Sequence, residues 1–319
     1  MAALIDASAR GVWIISATPF ADNGDLDLES TDRMVDYYLG CGVDGLTILG
    51  IMGEANKLSQ EESIRFTDRV VRRVGGRVPV VVGASQPGHR LAGDLTRAVM
   101  DLGAGGIMLS PPQGLRTEDQ VYGYYESFIG EIGTAVPIVL QDYPPASQVY
   151  MSVATINRLI ADFPSIAVFK HEDCPGLRKL SRLRADEASG VRRRTSILTA
   201  NGGLYLMQEM RRGADGCMTG FGVPEMLVEV CRLVFAGDLE GAEDLFDAYL
   251  PLVRHEQQPG FGLAVRKELL RRGGVIATAR TRAPGPALDA TDRAELDTLL
   301  ARLERRLAQM GRSMPAAAQ

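Results

Sequence analysis

Eight short apolar, β-branched runs recur along the chain at intervals of about 30 residues, and that spacing narrows the folds open to it. They are GVWIISATPF from Gly11, DGLTILG from Asp44, VPVVVGAS from Val78, GGIMLSPP from Gly105, VPIVLQDYP from Val136, IAVFKHED from Ile166, TSILTANGG from Thr195 and DGCMTGF from Asp215. The runs are continuous rather than alternating, as in parallel strands buried on both faces. Amphipathic stretches such as LESTDRMVDYYLGCG and LSQEESIRFTDRVVRRVGG lie between them. Eight such units predict an α/β fold, a (β/α)8 TIM barrel. A doubly wound open sheet is the alternative built from the same units.

From about Pro224 onward the strand-like runs stop. PEMLVEVCRLVFAG, DLEGAEDLFDAYLPLVRHEQ, GLAVRKELLRRGG and ATDRAELDTLLARLERRLAQM read as helices. The expected organisation is a barrel over residues 1–225 and C-terminal helices over 226–319 that complete and extend it. A net charge of -5 gives no reason to expect nucleic acid or an anionic membrane as partner. No apolar run reaches the roughly 18 residues of a membrane span. MAALIDASARGVW lacks the basic and apolar regions of a signal peptide. Cys41, Cys174, Cys217 and Cys231 are scattered, as reduced thiols of a cytoplasmic protein would be. His89, His171 and His255 have no metal-ligand spacing, so no metal is expected.

The chain has 31 arginines but only four lysines, Lys57, Lys170, Lys179 and Lys267. Lys170 alone ends an apolar run, the sixth. In a barrel enzyme the C-terminal ends of the strands carry the chemistry. A lysine flanked there by apolar residues is partly desolvated, which favours the neutral amine that attacks a carbonyl. The bland reading is a lysine that snorkels to the barrel mouth. Glu172 lies two residues on, so an extended strand turns it to the same side, while His171 between them points away as a structural residue. Gly50 and Gly53, past the second run, let backbone amides approach a carboxylate; a tight turn without a ligand is the alternative.

These residues resemble the N-acetylneuraminate lyase / dihydrodipicolinate synthase superfamily, Schiff-base-forming barrels that act on 2-keto acids. LGIMGEANKLSQEE resembles its G-x-x-G-E loop after strand two, VFKHED its strand-six lysine, GADGCMTGF its strand-eight segment and FGLAVRKELLRRGG its C-terminal helical region. The resemblance implies a lyase with Lys170 as Schiff-base residue, a keto-acid substrate bound at Gly50, Ile51, Met52 and Gly53, and a homotetramer. No cofactor is implied, because the lysine itself supplies the electron sink.

The chain departs from the family at several positions. Ile51 and Met52 stand where members commonly carry hydroxyl residues. Gln141 stands at the usual catalytic tyrosine, with Tyr143 two residues later. Tyr143 either reaches the same cavity or forms only a wall. Pro145 and Ala146 replace an arginine that synthases use, and Pro112 and Gln113 replace a tyrosine pair. Glu172 is then the candidate acid/base, or else it pairs with an arginine at the rim. KHEDCPGLRKL, NGGLYLMQEMRRGADGCMTGF and GIMGEANKLS resemble the 2-keto-3-deoxy sugar acid dehydratases, such as L-2-keto-3-deoxyarabonate dehydratase. Thr199, Asn201 and Thr219 are further candidates for substrate contact, with Thr18 and Ser85 behind them; each equally suits a loop backbone. Three readings stay open at this point: a dehydratase, a pyruvate-dependent aldolase or dihydrodipicolinate synthase-like condensing enzyme, and a non-catalytic keto-acid-binding protein.

Overall fold

The computed structural model describes residues 3–315. Eight parallel strands close in chain order: β1 (Gly11–Ile15), β2 (Gly45–Ile48), β3 (Val80–Gly83), β4 (Gly106–Leu109), β5 (Ile138–Asp142), β6 (Ile166–His171), β7 (Ser196–Thr199) and β8 (Gly216–Cys217). β8 pairs with β1 through Gly11–Gly216 and Val12–Cys217, so the sheet is a barrel and not an open one. The connecting helices are α1 (Leu28–Gly40), α2 (Gln60–Val74), α3 (His89–Asp101), α4 (Glu118–Ile132), the short α5 (Pro144–Ser147), α6 (Val153–Asp162), α7 (Leu177–Ala188) and α8 (Leu206–Arg211). After β8 come α9 (Pro224–Phe235), α10 (Leu239–Glu256), α11 (Gly262–Arg272) and α12 (Ala290–Gln309).

Local chemistry sets the helix ends. Ser59 and Glu62 form a reciprocal capping box at the start of α2, and Gly75 ends it in the left-handed conformation. Thr117 and Gln120 do the same for α4. α2 buries Phe66, Val70 and Val74, which are spaced by four and so share one face. The expected division at residue 225 falls inside α9, which packs on β1 and α10 and thereby completes the helical ring. α10 and α12 pack together beyond it. The last four residues of the expected C-terminal region lie outside the described residues. No described helix is long and apolar enough to cross a membrane.

Two apolar clusters divide the molecule. Trp13, Ile15, Val81, Met108, Val139, Val168, Leu198 and Met218 fill the barrel interior. A larger cluster lies between strands and helices. Gly45 faces the Trp13 ring so closely that a Cβ would sit 2.2 Å from it. Gly45→Ala is expected to overpack the interior and to cost about 1–3 kcal/mol, read as a lower midpoint in chemical denaturation. An unchanged midpoint would show that the Trp13 ring moves aside freely.

Candidate active site

The phase of β6 decides which of its side chains reach the interior. Ile138 pairs with Ile166, but the next residue, Val139, pairs with Val168. Ala167 is the extra residue of a bulge, and both Ala167 and Val168 join the inner cluster. Beyond the bulge alternation resumes. Gln141, Lys170 and Leu198 stand side by side across β5, β6 and β7, and the next rung is Asp142, His171 and Thr199. Leu198 belongs to the inner cluster and Phe169 to the outer one, so the Lys170 rung faces inward and the His171 rung outward.

Lys170 and Glu172 are both buried, and the Lys170 ammonium forms an ion pair with Glu172 Oε1. Gln141 donates from Nε2 to the same oxygen at 2.9 Å. The Glu172 amide donates to the Asp142 carbonyl at 3.0 Å, which continues the β5–β6 ladder one residue past the strand. Glu172 thus pairs with the neighbouring lysine, and Gln141 steadies its carboxylate. A carboxylate so placed can accept a proton from the amine and return it to a bound molecule. Tyr143, half-buried at the start of α5, lies within electrostatic reach: burial raises its hydroxyl pKa and the Glu172 charge raises it further.

The chain turns sharply after β2. Ile51–Gly53 is a single 3-10 turn, closed by the Glu54 amide on the Ile51 carbonyl at 3.0 Å. The Thr18 hydroxyl donates to the Gly53 carbonyl at 2.6 Å. Gly50 lies beside Ile15 and Met108 of the interior. The amides of Ile51 and Met52 open the turn and take no acceptor among the described residues. Met52 packs on the inner cluster, whereas the Ile51 side chain is exposed.

The hydroxyl candidates are spent differently. Thr199 is on the outward rung, where its hydroxyl lies against the Gly216 carbonyl at 3.4 Å and against the Glu209 carboxyl of α8. By sequence Thr199 is a candidate for substrate contact or for the loop backbone; the register turns it to the helix layer. The Thr219 hydroxyl accepts from the Gly202 amide at 2.8 Å and ties β8 to the turn after β7. Asn201 has φ 51° and donates to the Glu172 carbonyl at 3.3 Å, which brings it beside the acid. Ser85 accepts from the Ser110 amide. His171 stacks on Phe169, and its Nε2 meets the Gly176 carbonyl at 2.9 Å. Burial pushes its pKa down to about 4.

Two buried acids escape a reading by local spacing. Glu54 accepts from Lys57 and Lys267 on the outer side of the β2 turn. Glu209 carries an unpartnered Oε2; burial pushes its pKa up to about 7, Thr199 opposes the shift and the Glu172 charge adds to it. Asp142 is likewise pushed up by burial, to about 6, against the pull of Lys179 at 2.8 Å.

Comparison with known proteins places this geometry. The model of the dihydrodipicolinate synthetase family matches residues 8–303. The chain belongs to that family. It is therefore a lyase of the Schiff-base-forming class. It is 34% identical to L-2-keto-3-deoxyarabonate dehydratase of Azospirillum brasilense over 92% of this chain and 94% of that one. It is 30% identical to 4-hydroxy-tetrahydrodipicolinate synthase of Thermotoga maritima over 77% and 82%. A crystal structure described as dihydrodipicolinate synthase of Rhodopseudomonas palustris superposes with TM-score 0.92 at 44% identity, covering 94% of this chain and all of that one. Gln141 occupies the inward position of β5 beside Lys170, and Tyr143 follows as the residue that opens α5.

Glu209 gives the family fold a distinctive pH dependence. A carboxyl whose pKa rises to about 7 on folding holds its proton in the native state between about pH 4.5 and 7, where the unfolded chain has lost it. Stability from this group is complete below that window and is lost as pH rises through it, by roughly 3 kcal/mol. Glu209→Gln should flatten that slope, so denaturant midpoints at pH 5 and pH 8 would draw together. Equal slopes in variant and parent would show that Glu209 ionises normally.

Proposed function

We propose that the chain is a hydro-lyase that dehydrates a 2-keto-3-deoxy sugar acid, with L-2-keto-3-deoxyarabonate as the model substrate. The observation that carries this reading is the placement of Glu172 directly on Lys170 at the buried end of β6. Similarity to the Azospirillum dehydratase along nearly the whole chain supports the substrate class.

The chemistry follows from the pair. Glu172 takes a proton from the Lys170 ammonium, and the free amine attacks the C2 carbonyl. Glu172 returns its proton to that oxygen, which leaves as water; an iminium remains and Glu172 is again a carboxylate. The iminium draws electrons from C2–C3 and makes the C3 proton acidic. Glu172, two residues away on the same side, removes that proton to give the enamine. The enamine then expels the C4 hydroxyl, which leaves as water with the proton Glu172 holds. Hydrolysis of the imine frees Lys170. The backbone amides of Ile51 and Met52 serve the substrate carboxylate in this reading, and Asn201 and Tyr143 face its hydroxyl-bearing end. Gln141 keeps one Glu172 oxygen occupied, so the other is presented to the substrate.

A second reading, aldol cleavage or condensation with pyruvate, is favoured by the similarity to the Thermotoga synthase. Both reactions pass through the same imine and differ in the bond that breaks. The homotetramer that the family resemblance implies belongs to the proposal and is checked by light scattering.

Borohydride added to protein with a 2-keto-3-deoxypentonate should fix an adduct on Lys170, located by peptide mass, and Lys170→Ala should abolish it. Without reductant, water loss at unchanged carbon number supports the dehydratase, and release of pyruvate supports the aldolase. Absence of an adduct would leave a binding protein. Glu172→Gln should still be trapped, but more slowly because solvent must then take the Lys170 proton, while turnover falls about 10²–10⁴-fold; turnover at the parent rate would remove Glu172 from the mechanism.

A further inference from the structure

Outside the Lys170 site, a dense buried network of charge surrounds Glu54. This residue follows the Ile51–Gly53 turn directly and is 1% exposed. Its backbone is left-handed, φ 56° and ψ 31°, a conformation that costs a residue with a Cβ and persists only where the surroundings hold it. Three donors hold its carboxylate. Lys267 Nζ of α11 reaches Oε1 at 2.6 Å, and Lys57 Nζ and the Arg282 amide reach Oε2 at 2.9 and 2.8 Å. The two lysines do not stop there. Lys267 also donates to the Arg280 carbonyl at 2.7 Å, and Lys57 to the Arg282 carbonyl at 2.7 Å. The Arg282 guanidinium in turn binds Glu62, the Lys57 carbonyl and the Gly24 carbonyl. Lys267 and Arg282 both lie over the Phe20 ring, 4.5 and 4.6 Å from its centre.

The segment 278–282, between α11 and α12, is thereby strapped across the loops after β1 and β2. Thr278 adds a bond to the Phe20 carbonyl at 2.9 Å. The strap meets the β2 loop at Lys57, whose ammonium and carbonyl both bond Arg282, and at Glu54, the residue whose own amide closes the turn. On the other flank, Thr18 holds the Gly53 carbonyl. The free amides of Ile51 and Met52 come just before these two anchors, in the same turn. This loop has no side-chain hydroxyl at residues 51 and 52, so the backbone alone has to present the amides.

We propose that Glu54 is a positioning residue for substrate carboxylate recognition: gripped by Lys57, Lys267 and the 278–282 strap, it holds the Ile51–Met52 amides in the geometry that receives the acid group. This rests on the Schiff-base reading of Lys170. Glu54 acts through the turn and touches no substrate. It makes the C-terminal region part of the binding site, although that region contributes no group to the chemistry.

The test compares two ketones on the full-length chain. Pyruvate carries a carboxylate, and hydroxyacetone does not. Each is titrated against wild type and Glu54→Gln, and the Lys170 adduct is fixed with borohydride and measured by mass, with circular dichroism melts run alongside. In Glu54→Gln the pyruvate concentration for half-maximal trapping should rise tenfold or more, with the saturating yield retained. Trapping by hydroxyacetone should stay within twofold of wild type. If Glu54→Gln does not fold, the double variant Glu54→Gln/Lys267→Gln, which exchanges the buried ion pair for a neutral hydrogen-bonded one, is read in the same way. An unchanged pyruvate titration overturns the proposal, as does an equal loss with both ketones or failure of both variants to fold, since the network would then be structural only. No adduct in wild type overturns the Schiff-base reading and this proposal together, whereas an adduct in wild type with the same titration in the variant overturns this proposal alone.

Discussion

Closing eight parallel strands on themselves removes every free edge and forces each strand to divide its side chains between the interior and the helix layer. That division governs the chemistry of this chain. An inward side chain near the end of a strand reaches the mouth; its neighbour by one residue packs under a helix. Lys170 and His171 are adjacent in sequence, yet one is paired with the acid of the site and the other stacks on Phe169 with its pKa lowered by burial. The bulge at Ala167 sets this phase. Without the extra residue, the outward set would contain the lysine.

Burying charge is costly, and this molecule buries it in compensated sets. Lys170 is matched by Glu172, Lys267 by Glu54, Arg266 by Glu256, and Lys179 by Asp142 and Asp173. These sets are spread around the barrel. The Arg266–Glu256 pair also takes the Gly222 amide and the Gly220 carbonyl, so it fastens the chain just past β8 to α10 and α11. The Glu54 set does the same for the loop after β2. Apolar packing fixes the barrel, and paired charges fix the loops at its mouth. Lys267 shows the balance between the two forces: burial pushes its pKa down to about 8 although Glu54 opposes the shift.

Much of this was legible because it depends on short-range rules. Run length and spacing identify the barrel, and a period of two links Lys170 to Glu172 and excludes His171. The resemblance singles out Gln141 at the tyrosine position, and pairing sets it beside Lys170. The facing of Thr199 is not readable from its place at a strand end, because the rung to which a strand's last residue belongs is set by pairing with β6 and β8, and sequence spacing does not contain that pairing. Glu54 and Lys267 are 213 positions apart, and neither carries a local mark of the other. Glu209 looks like any acid on an amphipathic stretch until α8 packs against β8 and brings its carboxyl to Thr199. The family resemblance singled out the loop after β2 as a candidate carboxylate site, yet the loop's anchors are long-range and appear only when the chain is folded.

The proton inventory at the mouth bears on which bond a keto-acid imine would break. Retro-aldol cleavage needs a base on the C4 hydroxyl, because that oxygen becomes a carbonyl as C3–C4 breaks. Dehydration needs the reverse, an acid on the same oxygen, after a base has taken the C3 proton. One carboxylate can do both parts of dehydration in turn, since removing the C3 proton converts it into the acid that the next step requires. Gln141 stands where the family places a tyrosine, and an amide side chain is neither base nor acid near neutral pH. Tyr143 has its pKa raised by burial and by the Glu172 charge, so it holds its proton; under the proposed dehydration it would be a donor to a substrate oxygen. The groups that converge on Lys170 are therefore sufficient for the proposed loss of a C4 hydroxyl, whereas in cleavage Glu172 would have to act as the base on that hydroxyl.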